Sequence, residues 1–520
     1  MGDLVTDLSA GADRLWQTHI SWVFGVGDQV FKVKRPVSLG FLDFSTLALR
    51  KEACEAEVVL NTRLAPDVYR SVVPITRDAS GRHAIDGDGE VVDWAVRMRR
   101  LPEHARADSR LAAGTLGIAE VDAMARRIAA FHAASRSDAA TAAFGRPDAI
   151  GVNVRENFEQ TRGVIEALLG AEEAHEIESW QLGFLAEEAA RFHARAEGGR
   201  VRDGHGDLRL EHFYLEPDGE VRVLDCIEFN ERFRFADVAS DIAFLSMDLA
   251  FHGRVDLAER ALATYAQETS DYDLFPLVDF YESYRAYVRG KISAIVAGDE
   301  GCPTELRERA RREARRYFLL SLASERRSPM PATLVAIGGP IASGKSTLAD
   351  QLGAAMGAPA INTDRIRKHM IGAGATDKLY DGSWAGAYDP EFTERVYEEV
   401  ERLAKAVLAS GRSVILDASF RSRSMRADAK RVATEAGARF RFVECRVDPR
   451  ICKARLRVRD KQTSVSDGRL EIFDDFMKKW EAVEELPAEE HLVVDTAREM
   501  EGVVESLRPH LPLWPEDLTS

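Results

Sequence analysis

Hydrophobic positions change their period along this chain. From Trp22 to Val33 and from Val68 to Met98 they read as strands, cut by the turn signals Val26-Gly27-Asp28 and Ile85-Asp86-Gly87-Asp88-Gly89. Beyond Ala119 the spacing is helical, interrupted by one strand-turn-strand stretch from His212 to Ile227 around Pro217-Asp218-Gly219. After Pro331, short apolar runs at Leu334–Ile337, Ala358–Asn362, Ser413–Leu416, Phe440–Arg446 and Leu492–Val494 alternate with helices. That alternation predicts a parallel sheet covered on both faces.

Between these regions, Thr304 to Leu322 reads as a helix rich in Arg and Glu, started by Pro303 and Thr304. The following Ser-Glu-Arg-Arg-Ser-Pro-Met-Pro, Ser324 to Pro331, breaks the pattern and marks a boundary. A chain of 520 residues is too long for one hydrophobic core. The expected organisation is a first domain over 1–325, a linker over 326–331 and a second domain over 332–520. The first is expected to be α+β, a small mixed β lobe followed by a larger helical lobe. The second is expected to be α/β.

Composition narrows the functional classes. At 45% hydrophobic and 30% charged residues, the chain is neither disordered nor membrane-like. Asp and Glu outnumber Lys and Arg by 86 to 70, a net charge of −16, so nucleic acid and anionic lipid are not expected as partners. Cys54, Cys226, Cys302, Cys445 and Cys452 are scattered and odd in number, which points to a reducing cytoplasm. No apolar run approaches the length needed to span a bilayer, and the start has no signal-peptide pattern.

The strongest chemical signal is Gly339-Pro340-Ile341-Ala342-Ser343-Gly344-Lys345-Ser346-Thr347, placed after a buried strand and before a helix. This G-x-x-x-x-G-K-[ST] string folds into a nest of N–H donors around phosphate oxygens, built from Gly339, Ala342, Ser343, Gly344 and Thr347. Lys345 reaches the outer phosphates of ATP, and the Ser346 hydroxyl can ligate Mg²⁺. Asp364 ends the second strand of this half, where it can take the proton of an acceptor hydroxyl or simply cap a helix. Arg367 can hold an anionic group. Asp417 ends the third strand, the place of a carboxylate that steadies Mg²⁺. Arg455, Arg457 and Arg459 are read as following a helix, and Lys461 to Gly468 as a mobile polar loop, together an arginine-bearing lid.

On these residues the second half, from about Pro331 to Pro509, resembles the P-loop kinases that include gluconate kinase, polynucleotide kinases and zeta toxins. The resemblance implies that Asp364 is the catalytic base and that Arg455 or Arg459 contacts phosphates from the lid.

The first half carries His205-Gly206-Asp207-Leu208-Arg209-Leu210-Glu211-His212, then Val223-Leu224-Asp225. Two acids separated by a hairpin can divide the work of a phosphoryl transfer, one orienting the acceptor hydroxyl and one holding Mg²⁺. The segment resembles the aminoglycoside phosphotransferases, a branch of the protein-kinase-like fold with the pattern H-G-D-x-x-x-x-N. That resemblance implies a two-lobed domain with Asp207 as catalytic Asp, Asp225 as metal-binding Asp, and His212 in the place of the metal-binding Asn. It further implies that Lys32 pairs with phosphates, with Lys34 as the alternative, and that Glu57 pairs with the lysine, Glu52 and Glu55 competing. Asp93 to Met98 would be the hinge strand reading the adenine edge, and Asp237 and Asp241 structural anchors. His205 is read as a loop brace.

These readings together predict an ATP-dependent, Mg²⁺-requiring phosphotransferase with two potential sites, acting on a hydroxylated small molecule. The alternatives are one catalytic half with a ligand-sensing half, and a toxin-like or polynucleotide-end kinase. If the acidic excess gathers near Asp207 and Asp225, cationic or neutral acceptors are expected there.

Overall fold

Alternation in the first region is realised as an antiparallel sheet in a computed structural model, which describes residues 2–18, 20–38, 42–322, 330–379, 385–459 and 464–515. Its strands are β1 (Arg14–Gln17), β2 (Ser21–Val26), β3 (Gln29–Lys34), β4 (Tyr69–Arg77), β5 (His83–Ile85) and β6 (Glu90–Arg99), in the order β1-β2-β3-β6-β4-β5. Residues 326–329 of the expected linker and 461–463 of the expected lid lie outside the described residues. The helix Gly2–Ala10 and β1 were not expected from the pattern. Leu4 and Leu8 of that helix pack on Trp22, Phe24, Phe31 and Val33.

Because side chains alternate across a strand, Val30, Lys32 and Lys34 share the face opposite to Phe31 and Val33. The helix Leu47–Asn61, capped by the Thr46 hydroxyl accepting from the Leu49 N–H at 3.2 Å, lies against that face through Cys54. The sheet is followed by helices, among them Ile118–Ala134, Pro147–Leu168, Ala171–Glu187 and Val238–Phe251. Two short ribbons stand between them: β7 (Val201–Asp203) pairs with β10 (Phe235–Asp237), and β8 (Phe213–Leu215) with β9 (Val221–Val223).

One expectation fails at β6. The backbone from Ala95 to Met98 is hydrogen-bonded into ladders with β3 on one side and β4 on the other, so it has no edge to offer an adenine. A strand central to a sheet spends both sets of polar groups on its neighbours. The first backbone beyond β6 is at Arg100.

The second sheet is parallel throughout, with strands β11 (Thr333–Gly338), β12 (Ala360–Asn362), β13 (Val414–Asp417), β14 (Arg439–Arg446) and β15 (His491–Asp495) in the order β12-β13-β11-β14-β15. All five predicted runs are present, within two residues at each end. Val335 and Ile337 of the central strand pack on Leu348 and Leu352 of the helix Lys345–Met356. Register places Asn362 beside Asp417 and Asp417 beside Ile337, which lines up the carboxyl ends of three strands. Ligands of open α/β sheets bind at that edge.

The chain divides into two compact units, Met1–Phe251 with Phe280–Leu322, and His252–Asp279 with Ala323–Ser520. The segment His252–Asp279, which chain order alone assigns to the first half, therefore belongs to the second unit. Within that unit Tyr272 is fully buried and its hydroxyl donates to the Ala360 carbonyl at 2.8 Å. Arg412 pairs with Glu259 at 2.8 Å and with Asp279 at 2.9 Å. Replacing Tyr272 by phenylalanine is expected to destabilise this unit by about 1–2 kcal/mol, the cost of stranding a buried polar group. Urea unfolding should show the midpoint falling with the slope unchanged.

Among the described residues no helix is long and apolar enough to cross a membrane.

Candidate phosphate-binding site and a second charged cluster

The turn from β11 into the helix Lys345–Met356 is built by backbone conformations that few residues tolerate. Gly339 has φ 148° and Gly344 φ 90°, and a Cβ on Gly339 would lie 2.7 Å from the Cys445 carbonyl oxygen. Ala342 also adopts a left-handed conformation, φ 60°, at a cost of about 1–2 kcal/mol. Strain of this kind is held where a loop must present its N–H groups to a ligand. The Lys345 ammonium donates to the Gly339 and Pro340 carbonyls of its own loop at 3.1 and 2.8 Å. Ser343 is fully buried and its hydroxyl oxygen has no hydrogen-bond partner among the described residues. A loop of strained backbone, a lysine over its mouth and an orphaned hydroxyl together fit a phosphate group.

Asp417 sits beside this loop, accepting from the Asn362 side-chain amide and from the Ser346 hydroxyl. Burial pushes its carboxyl above the ordinary range against the pull of Lys345, while burial pushes Lys345 below its own against the pull of Asp417. Ser346 and Asp417 offer the oxygen donors that Mg²⁺ prefers. Among the described residues no group of three or more His, Cys, Asp and Glu is arranged to hold a metal ion by itself.

Asp364 is not the cap of its helix. Asn362 caps Thr363–Met370 by accepting from the Arg365 N–H, which leaves the Asp364 carboxylate to face the cavity. The cavity, about 180 Å³, is lined by Lys345, Asp364, Arg367, Asp417 and Arg459 among others. Tyr388 donates to Asp364 at 3.2 Å and to Asp467 at 2.8 Å, tying the two carboxylates together. Asp467 in turn pairs with the buried Lys368 at 3.2 Å and accepts the Leu379 N–H at 3.2 Å. The described end of the expected mobile loop is thus anchored by a buried ion pair. Arg367 is held at Thr393 by a 3.3 Å bond and stacks on Tyr388 with its guanidinium carbon 4.4 Å from the ring centre.

The arginines are placed differently from expectation. Arg455, Arg457 and Arg459 do not follow a helix; they lie in the last turns of Pro449–Arg459. Arg455 points back to the phosphate loop, donating to the Ala342 carbonyl at 3.3 Å and the Thr496 carbonyl at 2.6 Å, and does not line the cavity. Arg457 is exposed. Of the three, only Arg459 lines the cavity; burial lowers its guanidinium while Asp364 pulls it the other way.

In the first unit, the sequence-predicted residues form one charged cluster. Lys32 pairs with Glu57 at 2.9 Å and with Asp225, and Lys34 pairs with the other oxygen of Glu57 and with Glu228. Glu57 is buried and Glu52 and Glu55 are exposed, so burial selects Glu57. Both lysines reach it, a sharing that strand alternation allows. Asp225 has φ 66°, and its N–H donates to the Tyr69 hydroxyl at 3.2 Å. Burial alone would raise the Asp225 carboxyl; Lys32, then His212, hold it far below the ordinary range.

Asp207 is matched to Arg209 by contacts of 3.1 and 3.2 Å. Against burial, Arg209, His212 and Arg289 hold its carboxyl at about 2. His212 lies 3.8 Å from the Asp207 carboxylate and 3.6 Å from Asp225. One ring nitrogen, Nδ1, is 2.8 Å from the Asp207 carbonyl, and the other, Nε2, is 3.4 Å from the Arg209 guanidinium. A cation on His212 would have to displace Arg209, so the imidazole does not fit the metal-ligand role. Nor is the cleft simply acidic, because Arg209 and Arg289 offset the carboxylates around Asp207.

His205 behaves as a brace: Nε2 meets the Leu224 carbonyl at 2.9 Å and Nδ1 accepts the Asp207 N–H at 3.2 Å. Asp241 accepts the His205 and Gly206 N–H groups at 2.7 and 2.9 Å, and Asp237 pairs with Arg195 at 2.6 Å. Burial, then His212, drops the His205 imidazole from 6.5 to about 4. The unfolded chain takes up this proton first, so the stability it contributes is complete above pH 6.5 and is lost as pH falls toward 4. The full loss is about 3 kcal/mol. His205→Gln is expected to shrink the fall in unfolding free energy between pH 7 and pH 5 by about 2 kcal/mol relative to the parent chain, measured by urea titration at each pH.

The sequence did not single out Tyr388, Tyr397, Arg421, Asp467, Lys368 or Asn362 as site residues. Asn362 alone carried a local signal, a helix-capping residue at the end of a strand.

The parallel sheet and its strained loop define a P-loop nucleotide-binding unit, and the AAA-domain family model matches residues 334–483, which include Lys345, Asp364, Asp417 and Arg455. Over 419 residues the chain is 34% identical to uncharacterized protein Rv2004c of Mycobacterium tuberculosis, covering 81% of this chain and 80% of that protein; the Mycobacterium bovis protein Mb2027c matches to the same extent. The chain belongs to the family of these mycobacterial proteins. Among solved structures, a putative kinase from Chloroflexus aurantiacus is 20% identical over 35% of this chain and 99% of its own, with a TM-score of 0.29. A gluconokinase from Sinorhizobium meliloti is 20% identical over 34% of this chain and 90% of its own, TM-score 0.24, and the APS kinase CysC of Mycobacterium tuberculosis is 18% identical over 35% and 98%, TM-score 0.24.

Proposed function

We propose that this chain is an ATP-dependent phosphotransferase whose second unit moves the γ-phosphoryl group of ATP to a hydroxyl of a small molecule. The observation that carries the reading is that Lys345, Asp417, Asp364 and Arg459 line one cavity at the carboxyl edge of the parallel sheet. Phosphoryl transfer asks mainly for positioning and charge neutralisation. Lys345 and the loop N–H groups would bind the phosphates, Ser346 and Asp417 would hold Mg²⁺, Arg459 would meet developing negative charge, and Asp364 would receive the acceptor's proton. Mg²⁺ supplies charge neutralisation across the phosphates when bound.

The first unit is read as a second potential ATP·Mg²⁺ site of protein-kinase-like, aminoglycoside phosphotransferase-like character. Lys32 and Glu57 would serve the phosphates, Asp225 the metal and Asp207 the acceptor. The pairing of Asp207 with Arg209 favours a second reading, in which this unit senses a ligand and does not catalyse. A polynucleotide-end kinase is disfavoured by the net charge of −16. A cytoplasmic location belongs to the same proposal, with all five cysteines unpaired.

A screen of hydroxylated metabolites reading ADP release, run on the intact chain and on Lys345→Ala and Asp207→Asn, tests both readings. Loss of turnover in Lys345→Ala alone supports a sensing first unit, and separate losses for different acceptors support two catalytic sites. Turnover untouched by either substitution would sink the proposal.

A further inference from the structure

Lys34 has no part in the chemistry proposed for the first unit, yet it is the more deeply buried of the two lysines on β3. Its side chain is wholly buried, whereas that of Lys32 is 13% exposed. The Lys34 ammonium pairs with Glu57 at 2.5 Å and with Glu228, and lies 5.3 Å from the centre of the Phe44 ring. Glu228 stands three residues beyond Asp225. Five groups thus form one chain of contacts, Asp225–Lys32–Glu57–Lys34–Glu228, in which two ammoniums serve three carboxylates.

The two ends of this chain differ: the Asp225 side chain is 44% exposed and that of Glu228 is 5% exposed. Taking a lysine and a glutamate out of water costs several kcal/mol per ion, and an apolar pair of the same size often packs as stably, so stability is a poor account of Lys34 and Glu228. What they fix is the backbone between. The Asp225 N–H donates to the Tyr69 hydroxyl at 3.2 Å, the Cys226 N–H to the Asn61 side-chain carbonyl at 2.9 Å, and the Ile227 N–H to the His205 carbonyl at 3.1 Å. Glu228 then ties the end of the turn to β3, and Phe229 packs with Leu42 and Phe44. Asp225 itself is left-handed, φ 66°, a conformation that costs a non-glycine residue about 1–2 kcal/mol and persists where surrounding structure enforces it.

We infer that Lys34 and Glu228 are positioning residues of the first unit, holding the turn Asp225–Glu228 against β3 so that the Asp225 carboxylate is set for a divalent cation. This rests on the reading of the first unit as an ATP·Mg²⁺ site. Lys32 and Lys34 are successive residues on one face of β3, about 7 Å apart along the strand, and each holds one end of the turn. The strand therefore sets where Asp225 lies relative to Lys32. Glu57 joins the two lysines, one carboxylate oxygen to each, so the same network fixes Lys32.

Mn²⁺ binding, read by electron paramagnetic resonance, tests this in the intact chain carrying Lys345→Ala, with a non-hydrolysable ATP analogue present. That background removes the lysine of the second unit's phosphate loop, and one Mn²⁺ site that disappears with Asp225→Asn is expected in it. Adding Glu228→Ala is expected to weaken this site about tenfold. Adding Lys34→Met with Glu228→Met replaces the ion pair by apolar groups of similar length, a change that often keeps or raises stability. This double variant is expected to keep the urea midpoint of the background and still bind Mn²⁺ about tenfold more weakly, which a pair serving stability alone would not show. The inference is overturned if either folded variant weakens the site less than threefold, or if the double variant does not fold, which would make the pair a requirement of folding. An Asp225-dependent site indifferent to both variants removes the inference and leaves the ATP·Mg²⁺ reading standing. Absence of any Asp225-dependent site in the background overturns that reading, and the inference with it.

Discussion

Lys345→Ala in the intact chain is expected to lower ATP turnover at the second unit by about 10²–10³-fold or more, the range found when one preorganised donor to developing charge is removed. The side chain spans the mouth of the phosphate loop and, among the described residues, donates to loop carbonyls, Gly339 at 3.1 Å and Pro340 at 2.8 Å. It is half-buried and belongs to no hydrophobic cluster, so its loss should leave folding nearly unchanged. The expected signature is therefore a large fall in ADP release and in nucleotide affinity with an unfolding midpoint close to that of the parent. An unfolded variant, or one with full turnover, would contradict the role of this loop.

Asp364→Asn should act on the other term of the reaction. The amide keeps the size and the bond from Tyr388 but cannot accept a proton, which predicts a drop in kcat of about 10²–10⁴-fold. Because Asp364 is not the helix cap and does not touch the phosphate loop carbonyls, the affinity for Mg·ATP should stay within about twofold. Single-turnover measurement beside equilibrium nucleotide titration separates the two effects. A variant that loses nucleotide binding as well would place Asp364 with the metal and not with the acceptor.

Legibility of the second unit followed from local constraints. A phosphate loop needs glycines at fixed offsets after a strand, and β-branched runs between helices have few alternatives to a parallel sheet, so Gly339 to Thr347 and all five strands could be read directly. The carboxyl edge followed from strand order, which placed Asp364 and Asp417 near the loop. The rest of the cavity lining did not follow. Tyr388, Arg421 and Asp467 come from three separate connections that line one cavity only after the sheet is assembled, and the Tyr388–Asp467 hydrogen bond and the buried Lys368–Asp467 ion pair form at the same stage.

Similar limits applied in the first unit. Spacing marked Asp207 and Asp225, and alternation put Lys32 and Lys34 on one face, but it could not say that Glu57 serves both lysines or that Arg209 closes on Asp207 and His212. The supposed hinge strand failed because sequence shows that a segment is extended and not how many neighbours it has. In β6 both edges are taken.

By itself, then, the sequence determined the elements and the residues whose chemistry depends on near neighbours: the loop that binds phosphate, the strand-end carboxylates and the lysine face. Tertiary structure alone decided which charges meet, that His252–Asp279 folds with the second unit through Tyr272 and Ala360, and that Arg367 and Arg421 line one cavity. Backbone patterns are set by interactions over a few residues, whereas pairing a buried charge depends on which distant group the packing brings within about 4 Å, and that is fixed only when the whole unit closes.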